Sequence, residues 1–380
     1  MMRTRFVPDR AQGRPADIVL VSLVVLLAGL GLGILFSASY HRALSLFHDP
    51  YYFIYRQCIW AALGALAAFV VSKIPLNFIL RVTPLILCAA LFLMLLCFFP
   101  QIAPPLMGAR RWIIVFGYSF QPSEFAKLAL VMYLAFMLQK KADRLGDLIN
   151  TFLPLVCVLL LFTALTFLQN DFSTSVFILA LGISILFVAE IKMRYISALA
   201  GLTVAGGAVV LLFTKSHRFQ RIITYLNPGQ DPSGADYQIL AARNALLKGG
   251  MWGTGIGQGT RKLGGLPEAH SDFIFAVLAE ELGFLGVSIA VALFLLLAYK
   301  GYSIARSSGY GRYGFYLAFG ITTCILGQAL MNMAVVAGLV PATGVTLPFF
   351  SSGGTSLFVT LLFCGLLVNL SRPGEGALHG

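Results

Sequence analysis

Two arginines and one helix opening hold the clearest set of anion-binding groups in this chain. Arg110 and Arg111 stand in Gly108-Ala109-Arg110-Arg111-Trp112, and Gln121-Pro122-Ser123-Glu124-Phe125-Ala126-Lys127 follows shortly after. Pro122 suits a first helical turn and Ser123 can cap it. Glu124 and Lys127, three apart, share a helix face and can pair. A lysine in a first turn opposes the helix dipole, so it favours a nearby anion. Two arginines, a lysine and a helix N-terminus together suit a phosphate or pyrophosphate group. The competing reading is a structural ion pair that orients the helix. Asp171, in Gln169-Asn170-Asp171-Phe172-Ser173-Thr174, can cap the helix that follows it. The run Leu266-Pro267-Glu268-Ala269-His270-Ser271-Asp272 gathers two acids and a histidine. Asp272 opens a helix, where it is either a cap or a functional carboxylate.

The elements that position these residues are membrane helices. Of 380 residues 58% are hydrophobic and only 11% charged, with a mean hydropathy of +0.86. A soluble domain carries about 25% charged residues to cover its surface. A soluble enzyme, a secreted disulfide scaffold and a disordered chain are therefore excluded. Apolar runs long enough to cross a core of roughly 30 Å recur throughout. Ten spans follow: 17–38, 53–72, 79–99, 123–139, 149–168, 171–189, 195–213, 272–299, 313–338 and 353–371. The predicted fold is all-α, a polytopic membrane protein of about ten transmembrane helices with one large extracytoplasmic loop. A charge inside the bilayer is costly, which makes each one a functional candidate. Glu280 and Glu281 lie roughly 12–13 Å along the helix from Asp272 at 1.5 Å per residue, and a structural network inside the bundle is expected for them.

The net charge of +12 suggests nucleic acid, but most of the basic residues fall in short segments between spans, as topology signals do. On the side of the termini the short segments hold fifteen Lys and Arg, against four on the other side. Both ends are therefore placed in the cytoplasm, as tails 1–16 and 372–380 around a membrane domain, 17–371. The connection 214–271 lies outside, with a helix at 236–248 stopped by Gly249-Gly250. Gly253, Gly255, Gly257 and Gly259 follow in alternation; no strand precedes them, so a tight turn near the membrane is expected rather than a nucleotide loop. The first run ends in Phe36-Ser37-Ala38-Ser39, like a signal-peptidase site, yet at over about 20 residues it is long for a cleaved segment. It is read as a retained helix. The six cysteines all sit in apolar runs, without disulfide or zinc spacing.

In these motifs the chain resembles the SEDS family (shape, elongation, division and sporulation), FtsW and RodA. The resemblance runs from the first span to the tenth. It rests on the three motifs above, on Phe273-Ile274-Phe275-Ala276 after the second acidic run, and on the segment 338–356, Gly-Leu-Val-Pro-Ala-Thr-Gly-Val-Thr-Leu-Pro-Phe-Phe-Ser-Ser-Gly-Gly-Thr-Ser. The Pro-Glu-Ala-His form and the later Ala-Glu-Glu-Leu-Gly look more like division-type than elongation-type members. The chain departs from the family pattern at Asn170 (usually Pro), Ser271 (often Thr) and Ser351-Ser352 (often Ser-Tyr).

The resemblance implies a peptidoglycan glycosyltransferase of the bacterial cytoplasmic membrane that polymerises lipid II on the outer face. It implies a class B penicillin-binding protein and other divisome or elongasome membrane proteins as partners. It places the catalytic Asp on Asp272 and the membrane-embedded acid and lysine on Glu124 and Lys127. Asp272 is then expected to be the general base, with Arg110, Arg111, Gln121, Glu124, Lys127, Asp171 and His270 around the substrate. Arg110 and Lys127 are expected on the pyrophosphate, with Glu124 positioning Lys127. The residues point to no definite cofactor; a divalent cation, Mg or Mn, is open as an aid to the leaving group, though no clustered carboxylates demand one. The alternatives are a lipid II flippase, which needs a polar route to both faces, and a scaffold, which leaves Asp272 unexplained.

Overall fold

The computed structural model describes residues 17–105, 109–115, 117–213, 235–260 and 266–372. Ten apolar helices among them match the expected spans: α1 (Ile18–Phe47), α2 (Tyr52–Val71), α3 (Leu76–Leu96), α4 (Pro122–Lys140), α5 (Leu153–Leu168), α6 (Phe172–Val188), α7 (Met193–Phe213), α9 (Ile274–Ser307), α10 (Gly311–Val336) and α11 (Gly354–Leu370). The eleventh helix, α8 (Ala235–Gly249), lies in the long connection where 236–248 was expected. The tails 1–16 and 373–380 and much of 214–271 lie outside the described residues.

Helix ends follow local chemistry more closely than hydropathy. Asp17 caps α1 by accepting from the Leu20 N–H at 3.1 Å. α1 then runs to Phe47, beyond the expected edge at 38, because no Gly or Pro interrupts Ser39–Phe47 and His48 (φ 55) turns the chain. Hydropathy marks the membrane edge, not the end of the helix. The connection 100–122 holds an unforeseen hairpin, β1 (Ile113–Val115) and β2 (Tyr118–Phe120), in antiparallel register with Ile113 opposite Phe120. Gly117 (φ 76) makes the turn.

α4 is the central helix. It touches α3, α5, α6, α10 and α11, and side chains on all its faces are buried. A helix enclosed in this way can carry polar groups only where they find partners.

α9 is broken at Gly283, whose φ of 63 and ψ of −165 are closed to side-chain-bearing residues. The glycine run mends the break. Thr254 and Gly255 N–H groups donate to the Glu280 and Glu281 carbonyls at 2.9 and 3.0 Å, and Phe284 N–H donates to the Gly250 carbonyl at 2.9 Å. A Cβ on Gly253 would stand 2.1 Å from the Glu281 carbonyl oxygen, so main chain meets main chain only through glycine. The alternating glycines are thus a splice for a membrane helix. Glu280 accepts from the Thr260 N–H at 3.0 Å and pairs with Lys248 at 3.3 Å, while Glu281 accepts from Ser37 Oγ at 2.7 Å. These two carboxylates form the expected structural network.

Candidate active site

Asp272 lies in the turn between the long connection and α9. The N-cap of α9 is Phe273 and no side chain caps that helix. The capping role open to Asp272 is therefore not the one it takes. Its Oδ1 accepts from Ser271 Oγ at 3.1 Å. Its Oδ2 bonds no other described residue and faces Gly344, where a Cβ would stand 3.4 Å away. The same point lies 3.5 Å from Arg111 Nη1. Burial pushes the Asp272 carboxyl up to about 6, although the Arg111 guanidinium beside it favours ionisation.

The main chain around Asp272 is sewn to the segment 339–352. Asn332 on α10 donates its amide to both the Asp272 and Val345 carbonyls, each at 2.8 Å. Ser351 Oγ donates to the Ser271 carbonyl at 2.7 Å while accepting from Leu347 N–H at 2.8 Å. Ser352 N–H donates to the His270 carbonyl at 2.9 Å. The His270 ring packs 4.6 Å from the Phe53 ring, and burial lowers its pKa.

A second cluster meets Asp272 through Arg111. Arg111 pairs with the buried Asp171 at 3.4 Å. Asp171 caps α6 through the Thr174 N–H at 3.3 Å and also accepts from Gln121 Nε2 at 3.2 Å. It therefore serves both the helix and the cluster. Asn170 takes φ 64, which the usual proline could not adopt, so the turn before Asp171 is this chain's own. Gln121, not Ser123, is the N-cap residue of α4; Ser123 Oγ accepts from Gln121 Nε2 at 3.1 Å instead. Pro122, having no N–H, takes the first helical position, and the cap falls two residues before Ser123.

Glu124 and Lys127 pair at 2.8 Å, as their spacing predicts, with Lys127 1% exposed. The expected union of Arg110 and Lys127 at one anion is not assembled. Arg110 is exposed, with its N–H held by the Gln169 carbonyl at 3.2 Å. Arg110 thus turns out to solvent, while its neighbour Arg111 turns in to Asp171. Lys127 lies inside the bundle, bound to Glu124 and 5.5 Å from the Phe177 ring.

Sequence reasoning assigned no role to Asn332, Gly344 or Ser351. An asparagine within an apolar span was the available signal for the first, since a buried amide needs partners. The site is a polar seam. An apolar cavity of about 180 Å³, lined by Ile74, Phe78, Phe125 and Met132 among others, lies elsewhere, between α2, α3, α4 and α11.

The sequence model for the cell cycle proteins FtsW, RodA and SpoVE matches residues 18–375. A probable peptidoglycan glycosyltransferase FtsW of Geobacter sp. (strain M18) is 40% identical over 95% of this chain and 98% of its own. The stage V sporulation protein E of Bacillus subtilis (strain 168) is 36% identical over 94% and 97%. Among solved structures, a chain of a complex described as coordinating polymerization and crosslinking, a peptidoglycan synthase, matches with a TM-score of 0.76 at 27% identity, covering 94% of this chain and 97% of that one. Thermus thermophilus RodA matches with a TM-score of 0.69 at 27% identity, covering 94% and 96%. The chain belongs to the FtsW, RodA and SpoVE family of cell cycle proteins.

Proposed function

We propose that this protein is a peptidoglycan glycosyltransferase that polymerises lipid II, in the division role of the FtsW relatives it resembles. The observation that carries the site is the convergence of the Asp272 carboxylate and the Arg111 guanidinium on one point above Gly344. Asp272 takes the proton from the acceptor's 4-hydroxyl as that oxygen attacks the donor's anomeric carbon. The bond from that carbon to the undecaprenyl pyrophosphate breaks, and the leaving group departs with the electron pair towards Arg111. Attack opposite an α-linked leaving group yields a β-1,4 linkage. Among the described residues no three His, Cys, Asp or Glu side chains gather.

The flippase alternative needs polar groups along the whole crossing. The charged residues buried in the described bundle are Glu124, Lys127, Asp171, Glu280 and Glu281; Glu124 and Lys127 lie in the opening turns of α4, Asp171 at the start of α6, and Glu280 and Glu281 within the first three turns of α9. That asymmetry suits chemistry at one face. Purified protein with a class B penicillin-binding protein should convert lipid II to glycan. Lipid II flipping between leaflets without any polymer would favour the transporter.

The distribution of basic residues supports cytoplasmic termini and an external α8. In a cysteine-free background, Leu247→Cys, 80% exposed on α8, should react with an impermeant maleimide in spheroplasts. Asp143→Cys, exposed on the opposite side, should react only after permeabilisation. The reverse pattern would put Asp272 on the cytoplasmic face and remove the outer-face reaction.

A further inference from the structure

Gly344 is bare where a side chain would fit. Its φ lies outside the left-handed region, and a Cβ there would meet its nearest neighbours at ordinary contact distances: 3.4 Å to Asp272 Oδ2, then 3.5 and 3.7 Å to the two Nη atoms of Arg111. Neither the backbone nor packing requires glycine. What a methyl would do is occupy the space shared by a carboxylate and a guanidinium. The two charged groups do not pair with each other across that space, since the ion pair of Arg111 is with Asp171. The polar atoms around the space are underused. Arg111 Nε is buried without a hydrogen-bond partner among the described residues.

We propose that the space over Gly344 is the reaction gap, with the acceptor's hydroxyl at Asp272 Oδ2 and an oxygen of the leaving phosphate at Arg111, and that Gly344 is the positioning residue that keeps it open. The Asp272 side of the gap is tied to the segment that carries Gly344. One amide group, that of Asn332, holds the carbonyls of Asp272 and Val345 at 2.8 Å each. A methyl on Gly344 therefore cannot be relieved by retreat of the loop, and the reactants give way instead. Misplacement of reacting atoms by about 1 Å can cost about 10²-fold in rate.

This inference rests on the glycosyltransferase reading of Asp272, and the test separates the two. Gly344→Ala should lower kcat for lipid II polymerisation by about 10²-fold, with KM changed much less and the melting temperature unchanged. Asp272→Asn is measured beside it. Should Asp272→Asn polymerise normally, the reading of the site fails. Should Asp272→Asn be inactive while Gly344→Ala runs at the parental rate, the gap alone is overturned. A loss of rate in Gly344→Ala matched by a loss of folded protein overturns it as well, since the geometry requires the alanine to fit.

Discussion

Asp272→Asn should reduce lipid II polymerisation by about 10²–10⁴-fold, the range that general-base catalysis supplies. Asparagine keeps the shape of the side chain and its acceptor for Ser271 Oγ, but it cannot take a proton. The substitution removes no helix cap, because α9 is not capped by a side chain. Stability should not fall. Burial raises the Asp272 carboxyl from 3.8 to about 6, so the charged form is the one the fold disfavours. That penalty is absent below the unfolded value, grows as pH rises and is complete above about 6. A neutral asparagine escapes it at neutral pH. The raised carboxyl also gives an expected pH profile for the parental protein. A base works when deprotonated, so kcat/KM should rise tenfold per pH unit on the acid side and level off above about 6. Polymerisation at near-parental rate by Asp272→Asn, or an acid limb retained in it, would take Asp272 out of the mechanism.

The membrane helices were legible because the bilayer imposes one rule on the sequence: about twenty apolar residues per crossing. All ten apolar helices fall where hydropathy puts them. Features governed by the main chain were not legible. Hydropathy could not show that α1 continues to Phe47, because a helix leaving the membrane needs only the absence of a stop. Nor could it show the break in α9, since Gly283 and the run from Gly249 to Gly255 meaningfully pair only once folded. Within the site, residue types and local spacing identified Asp272, Asp171, Gln121 and the Glu124–Lys127 pair. Spacing could not choose between adjacent arginines; the buried Asp171, from a distant part of the chain, selects Arg111. Asn332 and Gly344 come from distant elements, and one of them acts by having no side chain at all. Such roles become visible only when the neighbours are in place.

Lys127→Met should destabilise the protein by about 3–5 kcal/mol, the cost of leaving one charge of a buried pair without its partner. Glu124 is 5% exposed and receives Lys127 Nζ at 2.8 Å, so no water replaces the lost ammonium without reopening the bundle. The pair sits on α4, which touches five other helices, and the damage should therefore spread to the whole fold. Poor accumulation in membranes and a much lower melting temperature in detergent are expected. Glu124→Gln alone strands the lysine and should be damaging in the same way. The double variant Glu124→Gln/Lys127→Met removes both charges, and it should recover much of what either single change loses, because the penalty belongs to an unpaired charge rather than to the missing bond. A direct grip by Lys127 on the pyrophosphate makes a different forecast: Lys127→Met would stay folded and lose substrate, and the double variant would rescue nothing. That outcome would return Lys127 to the anion site, whereas stability recovered by the second substitution assigns the pair to holding α4 and the Gln121–Asp171–Arg111 cluster above it in place.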